Sequence, residues 1–133
     1  MSKDQMWELL HSENMVYAHV YRGDQETEYL FQNTPENIAN FIGSRPTVDQ
    51  IILTDVMDWP ILSTIGYFIN KCPDQALLAE VKRTLVPIQT GQAEVQPFFC
   101  PTIEEVEDYW EKMGALDESP DETPGAFLNE PQI

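Results

Sequence analysis

The sequence predicts an α+β fold: a small three- to four-stranded sheet containing an antiparallel hairpin, packed by four to five helices. Three observations carry this. Residues 15–32, MVYAHVYRGDQETEYLFQ, alternate apolar and polar side chains on either side of a Gly-Asp pair, the pattern of two strands joined by a tight turn. Residues 34–43, TPENIANFIG, carry helix signals from start to stop. Residues 50–72, QIILTDVMDWPILSTIGYFINKC, hold the densest apolar run of the chain and read as a central strand followed by its covering helix.

Taken in order, the chain opens with a short helix over residues 2–12, with Ser2 as cap and Met6, Leu9 and Leu10 at helical spacing. Strand 15–22 places Val16, Ala18 and Val20 on one face, fully apolar and therefore toward the core. Its other face, Met15, Tyr17, His19 and Tyr21, is amphipathic and expected to be only partly covered. Gly23-Asp24 supplies the turn, and Thr27, Tyr29 and Phe31 alternate on the returning strand. Thr34 is the N-cap of the next helix, Pro35 its first residue and Glu36 an acid in its first turn. Ile38, Phe41 and Ile42 form its apolar face, and Gly43 is expected just past its end.

The run Ile51-Ile52-Leu53 is short and continuous, as in a strand covered on both faces. Pro60 fits a helix only in its first turn, so Asp58 is the expected N-cap and Trp59 the first helical residue. Ile61, Leu62, Ile65, Phe68 and Ile69 would form its stripe, and Cys72-Pro73 its end. Asp74 caps a further helix, 75–86, with Leu77, Leu78, Val81 and Leu85 inward and Pro87 as the stop. Residues 88–96 read as a turn between extended pieces, and residues 97–99 as an edge strand or a packed extended segment. Thr102 and Glu105 form a capping box for a last helix running to Met113, with Gly114 as its stop. The expected organisation is one domain over residues 1–114 and a disordered acidic tail over residues 115–133, which is proline-bearing and nearly free of apolar residues beyond Phe127-Leu128.

Charge is the most unusual property. Seven Lys and Arg stand against 23 Asp and Glu, a net of −16. It is unevenly spread: residues 101–133 hold ten acids and one base, residues 1–100 thirteen acids and six bases. Such a chain repels phosphates, which argues against direct binding to nucleic acid or to an anionic membrane and in favour of a basic protein partner. No stretch is apolar enough to span a membrane, and the first residues, MSKDQMWELL, lack the apolar core of a signal peptide, so the expected location is cytoplasmic. The two cysteines, Cys72 and Cys100, are too few for a disulfide scaffold and match no zinc spacing; small buried hydrophobes are the plain reading.

Four groups of residues are candidates for function. Glu104, Glu105, Glu107, Asp108 and Glu111 line the last helix, where spaced carboxylates can imitate phosphates and occupy a basic groove; the plainer reading is a solvated face. Tyr17 and Tyr21, flanking His19, offer an aromatic hairpin face to a protein partner. Asp24, Glu26 and Glu28 alternate at the hairpin tip, where paired carboxylates could work as acid and base or bind a cation, or be no more than an edge hairpin's solvated face. Asp55 and Asp58 follow the central strand, a place where two acids could hold a divalent metal ion, or simply cap the next helix. No phosphate loop, nucleophile elbow or metalloprotease motif is present, and no cofactor or catalytic residue is expected.

The run MVYAHVYRGDQETEYLFQNTPENIANFIG, followed by IILTDVMDWPILSTIGYFINKCPD, resembles uncharacterised small acidic accessory proteins of conjugative mobile elements of gut bacteria, over about residues 6–112. The resemblance carries no catalytic motif. It implies an intracellular protein of a mobile element, whose cargo often includes acidic inhibitors of host restriction or CRISPR nucleases. The functional expectation is a non-enzymatic acidic binding protein of that type, a nucleic-acid mimic that docks on a nuclease or another nucleic-acid-handling protein. The alternatives are a regulatory or structural accessory module that binds through the aromatic hairpin face, and a metal-dependent enzyme using Asp55 and Asp58.

Overall fold

The computed structural model describes residues 3–117 and shows an α+β architecture. The chain divides at Ile103/Glu104 into two compact units.

The first unit is built on a five-stranded, wholly antiparallel sheet of order β2-β1-β3-β4-β5. The strands are β1 (Met15–Arg22), β2 (Gln25–Gln32), β3 (Gln50–Thr54), β4 (Pro60–Ile65) and β5 (Phe68–Lys71). One face is dry. Val16, Ala18, Val20, Phe31, Ile51, Leu53 and Leu62 alternate onto it, and two helices cover it. These are α2 (Pro35–Gly43), contributing Ile38, Phe41 and Ile42, and α3 (Gln75–Gln89), contributing Val81 and Leu85. Helix α1 (Lys3–Leu10) precedes the sheet and buries Met6 and Leu9. At the centre of the core Phe41 stacks on Phe31 with ring centroids 4.9 Å apart, and the Arg45 guanidinium lies 3.8 Å above the Phe41 ring.

Both predicted caps of the covering helices are present. Thr34 accepts from Asn37 N, and Asp74 accepts from Ala76 N and Leu77 N, so each satisfies backbone N–H groups that the first turn leaves free. The irregular segment after α3 is tied down by Asn40, which is buried in α2: its Oδ1 accepts from Gln96 N at 2.7 Å and its Nδ2 donates to Glu36 O at 2.8 Å. Residues 97–99 form no regular strand; the extended segment reaches the sheet at β2, where Leu30 N donates to Pro101 O.

Several expectations are corrected. The sheet has five strands rather than three or four, because residues 60–71 form a hairpin and not a helix. Gly66 makes that turn at φ +59°, and Ile61, Thr64, Ile65 and Ile69 are β-branched residues that pack well on a pleated surface. Pro60 is the first residue of β4 rather than of a helix, a position where a missing N–H is tolerated. Asp58 caps no helix; it sits in the β3–β4 turn at φ 67°, a region Asp enters more readily than most residues. Ile52 is half-exposed, so β3 is covered on one face only. Helix α3 continues through Pro87 to Gln89, so Pro87 lies inside its last turn rather than beyond its end.

Gly43 is not beyond the end of α2 but its last residue, followed by Ser44 as C-cap. Its lack of a side chain serves packing instead. A Cβ there would lie 2.8 Å from Ile88 Cγ2 of α3. Alanine is the better helix former by about 1 kcal/mol, but overpacking a tight contact costs about 1–3 kcal/mol. Gly43→Ala is therefore expected to destabilise by up to about 2 kcal/mol in urea unfolding; a variant more stable than the parent would show that Ile88 gives way freely.

In the second unit, α4 (Ile103–Asp117) passes through Gly114 rather than ending there. Residues 115–117, expected to open the disordered tail, are helical and end α4; the rest of that tail, 118–133 with Phe127-Leu128, and the Ser2 cap lie outside the described residues. Among the described residues no helix is long and apolar enough to cross a membrane.

Candidate functional site

The outer face of the sheet carries the densest set of chemically active side chains. The tight turn at Gly23-Asp24 sets the register of β1 and β2, placing His19 opposite Glu28 and Tyr21 opposite Glu26. Odd-numbered residues of β1 and even-numbered residues of β2 then share that face. The result is a small network. His19 Nδ1 lies 3.1 Å from Glu26 Oε2 and 3.5 Å from Glu28 Oε2. Tyr17 donates its hydroxyl to Glu28 Oε1 at 2.9 Å and stacks on the His19 ring at 4.9 Å between centroids. Tyr21 donates to Glu26 Oε2 at 3.3 Å. Burial pushes the Tyr21 phenol pKa up, and the Glu26 charge and hydrogen bond push it further the same way, so it stays a proton donor.

The same face runs on across the sheet. His19 is opposite Ile52, Ile52 opposite Ser63, and Ser63 opposite Lys71. The row thus passes from acid at one edge to base at the other. At the β4–β5 turn Ile65 and Phe68 face each other and are 62% and 66% exposed, which leaves apolar surface available beside the polar network.

The acidic helix is a second feature, described by itself. Glu104, Glu105, Glu107, Asp108 and Glu111 are all exposed. At about 100° per residue they fall within an arc of about 160°, centred opposite the buried Val106. Lys112, the one base of α4, pairs with Asp108 at 3.0 Å.

Comparison with protein-family models, curated proteins and solved structures finds no match.

The remaining candidates are placed differently. Asp55 Oδ1 accepts from Met57 N at 2.7 Å and Trp59 N at 3.0 Å, so this carboxylate is engaged in closing the β3–β4 turn. That turn also exposes Met57 (76%) and Trp59 (69%), which a helical reading of the segment had no reason to single out. Neither Cys72 nor Cys100 is in a disulfide. Cys72 is buried, and burial pushes its thiol pKa up, opposed in part by a backbone hydrogen bond from Asp74; the thiol itself donates to Asp74 O at 3.3 Å. A buried thiol held in that state is a packing group rather than a nucleophile. His11 stacks on Trp7 within α1 and its neighbouring turn, and takes no part in the hairpin network.

The network was half visible in the sequence. His19, Tyr17 and Tyr21 fall on one face by alternation, and Glu26 and Glu28 on one face by the same rule. Joining the two sets needs the strand register, and the two-residue turn was the signal that supplies it.

Proposed function

We propose that this is a non-enzymatic acidic binding protein that docks on the basic surface of a nucleic-acid-handling protein and competes there with nucleic acid. The observation that carries the reading is the carboxylate arc of α4. Residues 104–112 hold five acids and one base over about 13 Å of helix, or about 3.4 Å of axis for each net negative charge. That equals the spacing of about 3.4 Å per charge along one strand of B-form DNA. A groove lined to neutralise phosphates would meet a similar density here. The net charge of −16 adds long-range attraction to such a groove and repulsion from nucleic acid itself. An inhibitor of restriction or CRISPR nucleases is one protein of this description.

The test begins with a partner recovered from source-cell extract and purified. Its affinity for the full chain is then measured against salt and against competing duplex DNA. Affinity is expected to fall linearly on a log–log scale as salt rises, and DNA to displace the chain. Neutralising the arc (Glu104→Gln, Glu105→Gln, Glu107→Gln, Asp108→Asn and Glu111→Gln together) is expected to weaken binding tenfold or more. Salt-independent binding that survives those five changes would sink the reading.

The half-covered outer sheet face, with Ile65 and Phe68 exposed beside Tyr17 and Tyr21, favours a second reading, an accessory module that binds a protein through this face. Tyr17→Ala and Tyr21→Ala would then weaken the same complex more than the charge changes do.

A further inference from the structure

The geometry points to a site for a divalent zinc-type metal ion on the outer face of the β1–β2 hairpin, with His19, Glu26 and Glu28 as ligands; we propose it independently of the acidic-helix reading. One donor atom from each of the three residues lies within 4.8 Å of the other two. Two of the three separations are specific. His19 Nδ1 stands 3.1 Å and 3.5 Å from the two carboxylate oxygens. Four donors at the usual zinc–nitrogen and zinc–oxygen distances define a tetrahedron with edges of about 3.3–3.6 Å. One observed edge, 3.5 Å, falls in that range and the other, 3.1 Å, just below it, so small rotations of the half-exposed carboxylates bring the three donors to the required spacing.

Donor chemistry selects the class of ion. An imidazole nitrogen with two carboxylate oxygens suits zinc and the neighbouring first-row metals, whereas magnesium and calcium prefer all-oxygen sets. Three protein ligands leave at least one position for water, the open arrangement rather than the closed four-ligand structural one.

The surroundings fit the same assignment. Directly opposed and diagonal positions of two hydrogen-bonded strands set the ligand backbones, which holds donors more firmly than a loop would. Each carboxylate also accepts a tyrosine hydroxyl, Glu28 from Tyr17 and Glu26 from Tyr21, and the Tyr17 ring lies against the imidazole. Outer groups of this kind orient ligands and strengthen them. Among the described residues, no Lys or Arg forms an ion pair with Glu26 or Glu28, and both carboxylates pair with His19. Two carboxylates and a neutral imidazole carry a charge of −2, which a divalent cation cancels. In the metal-free protein the Nδ1 proton can bridge to Glu26. The metal takes Nδ1 in the tautomer whose proton sits on Nε2.

The experiment is a calorimetric titration of the full chain, stripped with chelator, with zinc chloride, with magnesium chloride as the comparison. Cobalt(II) absorption in the visible reports tetrahedral geometry. One saturable zinc equivalent is expected, with at least tenfold preference over magnesium. His19→Gln and Glu28→Gln should each weaken it tenfold or more and abolish the tetrahedral cobalt spectrum. Tyr17→Phe, which touches no metal, should weaken it about tenfold, while His11→Ala should leave it unchanged. Circular dichroism confirms that each variant is folded. Weak, unsaturable uptake that persists in His19→Gln would assign the metal to the many surface acids and overturn the proposal. So would the absence of any binding, or equal affinity for magnesium.

Discussion

Phe41→Ala lowers the unfolding free energy by about 3–5 kcal/mol. The side chain is fully buried in α2. Its ring packs on Phe31 at 4.9 Å and meets the edge of Tyr29 at 5.4 Å, while the Arg45 guanidinium covers its other side at 3.8 Å. Truncation removes apolar transfer energy, leaves a void between helix and sheet, and strips the guanidinium of the π surface it lies on. The Arg45 side chain also donates to Phe41 O, so its position depends on the same turn of helix. A domain of this size has a total stability of about 5–15 kcal/mol, so the variant stands near the limit of folding. Urea unfolding measures the change; a loss below about 1.5 kcal/mol would mean that the site collapses around the smaller side chain far more completely than cores usually do.

Thr64→Val costs about 1–3 kcal/mol although the two side chains have nearly the same shape. Thr64 is fully buried on β4. Its hydroxyl accepts from Ile51 N at 3.0 Å and donates to Gly66 O at 3.2 Å, so it stands between strand β3 and the β4–β5 turn. Valine keeps the volume and leaves the Ile51 N–H in the dry interior with no acceptor. The full desolvation penalty of a buried donor then appears. Equilibrium unfolding gives the magnitude. Amide hydrogen exchange gives the location, since Ile51 should exchange faster in Thr64→Val and not in Thr64→Ser. Equal stability of the valine variant would show that Ile51 N–H finds another partner.

Much of the fold could be read before the structure, where one period dominated. The hairpin of β1 and β2, the capped helices α2 and α3, and the inward set Val16, Ala18, Val20, Ile38, Phe41, Ile42, Val81 and Leu85 all follow from spacing. The largest failure lies at residues 59–71, and its cause is physical. Ile61, Leu62, Ile65, Phe68 and Ile69 satisfy a helical stripe, while the same stretch also satisfies a period of two. Buried Leu62 and Thr64 show that the period of two won. Thr64 misled because a hydroxyl at a core position looks like a break in an apolar face until its two hydrogen bonds are seen. Gly66 was the informative residue, since a glycine in a helix interior costs about 1 kcal/mol, whereas a turn needs it.

The functional groups divide in the same way. The acidic arc of α4 is a matter of helical spacing and was legible. The hairpin network depends on contacts across strands. Its members could be named singly, and the distances of 3.1 and 3.5 Å around His19 could not. Asp55 illustrates the reverse, a residue that looked chemically uncommitted and proves to hold a turn.

The two margins of the sheet bear on how the protein behaves when crowded. Strand β5 has four residues, is out of step with β4 between Ser63 and Thr64, and ends on Lys71. Strand β2, at the other margin, is met by the chain itself at Tyr29 and Leu30, and its remaining length carries Glu26 and Glu28. Neither margin presents a long, flat, uncharged row of open amides and carbonyls, the template on which foreign strands stack into fibrils. A chain built on one antiparallel sheet is thereby guarded against polymerising through that sheet, and at high concentration mutual repulsion reinforces the guard.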